Sequence, residues 1–245
     1  MKADPDAQRR LLDLQAIDTQ LAQIAHKRRT LPELADLERL AREIAALEDS
    51  RVRAQVAVDD IDRDIARLEK DIEQVRARAD RDRARLDAGT GPAKELEALQ
   101  HELGTLSRRQ GELEDAELEL MEQREQAQAE LDRVDAALTS TRQNRADTEL
   151  RRDTAVSDLD KEREWKVSSR QPLVNDLPAD LVALYEKIRE STGMGAALLR
   201  AGRCEGCRLE LSGSERSRVR AAAPDDVVRC EECGRIHVRT AESGL

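Results

Sequence analysis

Apolar residues recur along this chain in alternating steps of three and four. Positions 37, 40, 44, 47, 51, 54, 58, 61, 65, 68, 72, 75, 79, 82 and 86 follow that step, and thirteen of the fifteen are apolar, Arg51 and Asp82 being the exceptions. A second series, 96, 99, 103, 106, 110, 113, 117, 120, 124, 127, 131, 134 and 138, keeps the step with ten of thirteen apolar, interrupted by Gln110, Glu117 and Arg124. A seven-residue repeat held over this length gives each helix one narrow stripe and winds paired helices into a left-handed supercoil. Between the series lies Asp87-Ala88-Gly89-Thr90-Gly91-Pro92, where two glycines permit positive φ and Pro92 suits the first turn of a new helix. The chain must reverse there. The stretches from Asp6 to this turn and from the turn to Arg170 are nearly equal, so pairing within one chain uses both fully and predicts an antiparallel hairpin rather than a parallel dimer. The polar interruptions read as register pins, since a polar seam residue fixes alignment while lowering stability, or as long side chains reaching out of a partly wet seam.

Two further breaks divide the chain. Pro32 interrupts the first arm, and Thr30 and Glu33 stand at capping-box spacing, so a helix should stop and restart near residues 30–33. Beyond Arg170 the periodicity fails, and Gln171-Pro172 followed by Leu177-Pro178-Ala179-Asp180 punctuates the chain. A short helix over 179–190 should follow, with Leu181, Leu184, Tyr185 and Ile188 on one face to dock what comes after onto the base of the coil. The expected fold is mostly α: a long antiparallel coiled-coil hairpin over 1–172 with its tip near 87–92, a linker with a docking helix over 173–194, and a small α+β domain over 195–245.

Composition agrees with narrow helical seams. Charged residues make up 38% of the 245 positions, aromatics 1%, and mean hydropathy is −0.72, which leaves Leu, Ile, Val and Ala to do the packing. No apolar run reaches the ~18 residues of a membrane span, and the chain opens on a charged helix, so a cytoplasmic protein is expected. The net charge of −10 is unevenly placed. Residues 193–245 carry nine Arg against eight Asp and Glu, whereas the remainder carries 33 basic and 44 acidic side chains. Neither part has the basic excess of a bulk phosphate binder.

The four cysteines occur as Cys204-Glu-Gly-Cys207 and Cys230-Glu-Glu-Cys233. Two Cys-x-x-Cys knuckles 22 residues apart can bring four thiolates to the corners of a tetrahedron, the arrangement of a closed structural zinc site. Two disulfides would suit a reducing compartment poorly, and a redox dithiol needs only one such pair. Gly234 after Cys233 allows a left-handed turn, and Arg203, Arg208, Arg229 and Arg235 beside the ligands can offset the charge of four thiolates. Ser212-Gly213-Ser214-Glu215 forms a capping box for a short helix to about Ala221, displaying Arg216, Arg218 and Arg220. These three and Arg235 are the candidate nucleic-acid contacts. His237, four residues past Cys233, is expected in a strand, Ile236-His237-Val238, the four ligands being already supplied. The sequence contains no Ser/His/Asp grouping and no phosphate loop, and a four-cysteine site lacks the open position that hydrolytic zinc needs. The reading is therefore non-enzymatic, with no catalytic residue and no small-molecule substrate.

Taken together, Cys204-Glu-Gly-Cys207, Cys230-Glu-Glu-Cys233-Gly234-Arg235-Ile236, Lys94-Glu95-Leu96-Glu97-Ala98-Leu99-Gln100-His101-Glu102 and Leu113-Glu114-Asp115 through Leu120-Met121-Glu122 resemble a bacterial family that joins a long coiled-coil hairpin to a C-terminal C4-type zinc ribbon. That family is similar to a flagellar regulator that binds a sigma factor and a messenger RNA. The resemblance implies a regulator working with a sigma factor, other transcription machinery or RNA. Two readings follow: a ribbon that binds RNA or DNA through its arginines, or a protein-interaction scaffold or chaperone without nucleic acid. A third places the acids Asp80, Asp82 and Asp87 at the tip as an insert into a polymerase channel.

Overall fold

A computed structural model describes all 245 residues. Its elements in chain order are α1 (Pro5–Arg29), α2 (Pro32–Asp87), α3 (Ala93–Asn175), α4 (Ala179–Thr192), β1 (Ala196–Arg200), β2 (Arg203–Cys204), α5 (Gly213–Ala221), β3 (Val228–Arg229) and β4 (Ile236–Val238), closed by a 3₁₀ turn at Ala241–Ser243. They form two compact units, one of Ala35–Glu149 and one of Met1–Leu34 with Leu150–Leu245.

In the unit of Ala35–Glu149, the two helical arms pair antiparallel along the expected stripes. Every position of both series is buried or half-buried except Arg51, with Leu40, Ile44, Val58, Ile72, Leu113, Leu131, Val134 and Leu138 most deeply enclosed. Two of the five polar seam residues, Arg51 and Arg124, act as cross-arm pins. Arg51 Nε meets Asp135 Oδ1 at 2.6 Å, Arg124 Nε meets Asp62 Oδ1 at 2.6 Å, and Gln110 donates to Glu114, which also pairs with Arg76. Asp62 lies as far beyond Arg51 in one arm as Arg124 lies before Asp135 in the other, as one antiparallel register requires. Asp82 departs from an acidic tip: it is buried, with Oδ2 lacking a hydrogen-bond partner and Arg78 Nε 4.0 Å away. The turn uses positive φ at Gly89 and Gly91, and α3 begins at Ala93, directly after Pro92.

The other unit packs α1, the end of α3 and α4 around Leu11, Leu14, Leu177, Leu181, Tyr185 and Ile188, with Ala196, Ile236 and Val238 of the sheet added to the same core. The polar side chains that the helices bring to this core are paired with one another or with the strand backbone. Tyr185 donates to Asp18 Oδ2 at 2.7 Å, Arg170 Nε reaches Asp18 Oδ1 at 2.7 Å, and Gln15 Oε1 accepts from the Gly195 amide at 2.7 Å. Glycine is needed at 195, because a Cβ there would sit 2.6 Å from the Tyr185 carbonyl oxygen. The sheet order is β2-β1-β4-β3, with β1 and β4 parallel. The first residues complete it from outside: the Ala3 amide donates to Asp225 O at 2.8 Å, and the Val227 amide to Met1 O at 3.1 Å.

Two punctuation marks work differently from their sequence reading. Thr30 does not cap the helix that follows; its hydroxyl and amide bond back to His26 O and finish α1. Helix α3 does not stop at Gln171-Pro172 but runs through Pro172 to Asn175. So close to the helix end, the proline forfeits a single backbone bond, and the Asp176 amide still closes onto Pro172 O at 3.0 Å.

Candidate metal centre

Each cysteine pair sits on a turn with the same backbone wiring. The Cys204 amide donates to Leu209 O at 3.0 Å and the Arg208 amide to Cys204 O at 2.7 Å; the Cys230 amide donates to Arg235 O at 2.9 Å and the Gly234 amide to Cys230 O at 2.9 Å. Position for position, Arg208 corresponds to Gly234, and both are left-handed, with φ of 64° and 71°. This conformation closes the turn around each pair. It favours glycine at both places, but only the second knuckle shows one in the sequence. Replacing Arg208 by glycine should therefore relieve strain and raise stability by about 1 kcal/mol, read as a higher melting temperature of the zinc-loaded protein; an unchanged or lower value would contradict the assignment.

The turns converge. Cys204 and Cys233 Sγ atoms are 3.9 Å apart, as are those of Cys207 and Cys230, and all four lie within 4.8 Å of one another as free thiols. Sulfurs about 2.3 Å from a central ion at tetrahedral angles are roughly 3.8 Å apart, so the four cysteines fit one structural zinc ion. Burial pushes the Cys204 thiol up to about 11 and raises that of Cys230, while the amides of Gly206, Cys207, Glu232 and Cys233 pull the other way. Cys233 lies below the usual thiol range: burial opposes this, but the Arg235 amide and the neighbouring cysteines outweigh it. Zinc binding must therefore displace protons from the two buried thiols.

Around the cysteines, α5 is capped as expected on one side only. Ser212 Oγ accepts from the Glu215 amide at 3.1 Å, but the Glu215 carboxylate does not return to Ser212. It is buried and accepts instead from the Glu231 amide at 2.9 Å, joining the helix to the second knuckle. His237 lies in β4 as the sequence suggests, fully buried, and burial holds its imidazole below the ordinary range.

The four arginines singled out from sequence have different surroundings. Arg218 Nη2 pairs with Glu231 at 3.0 Å, and Arg235 Nη2 donates to Thr192 O at 3.1 Å with its stem laid across Gly206. Arg216 lies over Gly202, and Arg220 is exposed without an ion pair. Two of the four therefore serve the fold. Arg239, which no motif marks, gathers the carbonyls of Val219, Ala222, Ala223, Pro224 and Asp226 at 2.6–3.3 Å and so finishes the C-terminal end of α5.

This arrangement has relatives. Residues 14–193 match the CT398-like coiled coil hairpin domain, and residues 203–236 match the C4-type zinc ribbon domain. The chain belongs to the CT398-like coiled coil hairpin family. A Mycobacterium tuberculosis protein is 41% identical over 98% of both chains, and a Mycobacterium leprae protein 32% identical over 91% of this chain and 96% of that one. Among solved structures, one from Mycobacterium smegmatis is similar at a TM-score of 0.85 and 40% identity, covering 98% of this chain and all of that one. CT398 from Chlamydia trachomatis has a TM-score of 0.67 at 19% identity, covering 95% of this chain and 97% of that one, a likeness of fold alone. Coiled-coil hairpins and zinc ribbons are structural and binding modules, and no helix here is long and apolar enough to cross a membrane.

Proposed function

We propose that the protein is a non-enzymatic scaffold that holds a protein partner along its hairpin, the partner being a sigma factor or another component of the transcription machinery in the cytoplasm. The observation that carries this reading is a set of apolar side chains left outside the seam. Val52 and Val56 are 60% and 49% exposed at a spacing of four, and Leu118 and Met121 are 60% and 48% exposed at a spacing of three. Apolar anchors at such spacing are how one helix offers itself to another. Changing Val52 and Val56 together to glutamate touches no seam position, so the melting temperature should stay the same. Affinity capture with the full chain should enrich a specific protein, and the double variant should reduce that enrichment at least ~10-fold, a loss of about 1.4 kcal/mol. No reproducible enrichment, or enrichment that ignores the variant, would remove the reading.

A second reading, nucleic-acid binding by the ribbon, draws support from the exposure of Arg203, Arg208 and Arg220. It requires affinity for RNA or DNA that falls with salt and with alanine at Arg216 and Arg220, the two candidates not tied to Glu231 or to the Thr192 carbonyl.

A further inference from the structure

Strand β4 alternates between two cores. Ile236 and Val238 enter the cluster of Leu11, Leu14 and Tyr185, so by the two-residue period of a strand His237 faces the other way. Its register partners there, Ala197 and Val228, belong to the core built around Cys204 and Cys230. His237 is 0% exposed, and neither ring nitrogen has a hydrogen-bond partner. An unpartnered polar group in such a place costs about 1–3 kcal/mol, and an aliphatic residue would fill the space without that cost.

Two other donors approach the same point. Glu215 arrives from α5, 3% exposed, with Oε1 fixed by the Glu231 amide and its nearest cation, Arg218, 3.9 Å away. A carboxylate oxygen of Glu215, Sγ of Cys230 and a ring nitrogen of His237 lie within 4.8 Å of one another, all three residues buried. Oxygen, sulfur and nitrogen converging from a helix, a knuckle and a strand make the mixed donor set of a borderline-soft divalent ion. The charge points the same way. Four thiolates around one Zn²⁺ leave a charge of about −2; the arginines beside the knuckles can offset that, but the buried Glu215 carboxylate adds a further negative charge whose nearest cation, Arg218, stands 3.9 Å away.

We propose that Glu215, Cys230 and His237 form a second metal site, in which a zinc-class divalent ion is held by the Glu215 carboxylate, the His237 imidazole and the Cys230 thiolate, the last shared with the structural zinc. With both carboxylate oxygens bound, the ion has four donors and needs no water. The site stands partly outside the ribbon motif, which ends at residue 236. It is independent of the partner proposed above.

The test is metal stoichiometry of the full chain. After a chelator wash that leaves the tightest ion in place, zinc is titrated in and the protein weighed by native mass spectrometry. The wild type should take up a second ion, whereas Glu215→Gln, which can still accept from the Glu231 amide, and His237→Leu should stop at one. Cadmium-loaded wild type should give two cadmium NMR signals coupled through the shared sulfur. Saturation at one ion, a second ion without coupling, or variants that still bind two would each overturn the proposal. Should a variant fail to fold, the wild-type stoichiometry and the coupling decide by themselves.

Discussion

Chelating the zinc is expected to unfold residues 195–245 while most of the far-UV helical signal persists. The core on the metal side of the sheet consists of Ala197, Leu199, Cys204, Leu211, Val219, Val228 and Cys230, so two of its seven buried members are themselves ligands. Strands β2 and β3 are two residues long and β4 is three, too short to stand without the turns that the metal ties together. Structural zinc contributes about 10–16 kcal/mol of apparent binding energy in small ribbons and fingers, and most of that is folding energy. The helices have separate support: the hairpin seam in one unit, and the Leu11, Leu14, Leu181 and Tyr185 cluster in the other. Loss should therefore be graded. Hydrogen exchange should rise first in both knuckles and α5, and last at β1 and β4, where the Gly195 amide is held by Gln15 and Ile236 and Val238 are packed against the helices. Cys230→Ser should reproduce the chelated state. Collapse of the helical circular dichroism, or knuckle protection surviving without metal, would contradict this account.

The contrast between what the sequence disclosed and what it hid follows from sequence distance. The seams were legible because the heptad is a local rule: each apolar position announces its own burial, and a turn with two glycines and a proline marks the reversal. The metal centre was legible for a similar reason, since thiols two residues apart have few structural uses and two such pairs have fewer still. Nothing local marks Asp18, Arg170 and Tyr185 as partners. Asp18 reads as one more charge in a charged helix, and its neighbours come from two other helices. The same holds for Glu215, whose capping spacing with Ser212 was apparent while its bond to the Glu231 amide depends on how the second knuckle folds back. Arg208 was hidden differently, because a left-handed backbone is advertised by glycine and this knuckle lacks one. Thr30 misled because a hydroxyl between two helices can serve either, and Leu31 leaves it one residue too early to cap α2.

Replacing Arg170 by methionine should destabilise the protein by about 3 kcal/mol, far more than removing any arginine of the hairpin surface. The Asp18 side chain is 4% exposed and accepts from Arg170 and from the Tyr185 hydroxyl, with Arg189 Nε 3.6 Å from it; Arg170 also pairs with Glu186. These contacts hold Arg170 and Tyr185 well above their ordinary ranges, the bond to Asp18 being the leading cause for the arginine and burial for the tyrosine. Methionine keeps the stem's packing but leaves a buried carboxylate short of its main counter-charge, and an uncompensated charge of this kind costs about 3–5 kcal/mol. The lower end applies because Arg189 and Tyr185 remain. Arg142→Met gives the comparison: its pair with Glu48 is 2.6 Å long, but both side chains are about half exposed, so water and salt screen it and the change should stay under about 1 kcal/mol. Urea unfolding of the zinc-loaded chain separates the two through midpoint shifts at constant slope. If Arg170→Met moved the midpoint no further than Arg142→Met, Asp18 would have to be solvated in place, and the buried network could not be what fastens α1 to α3 and α4.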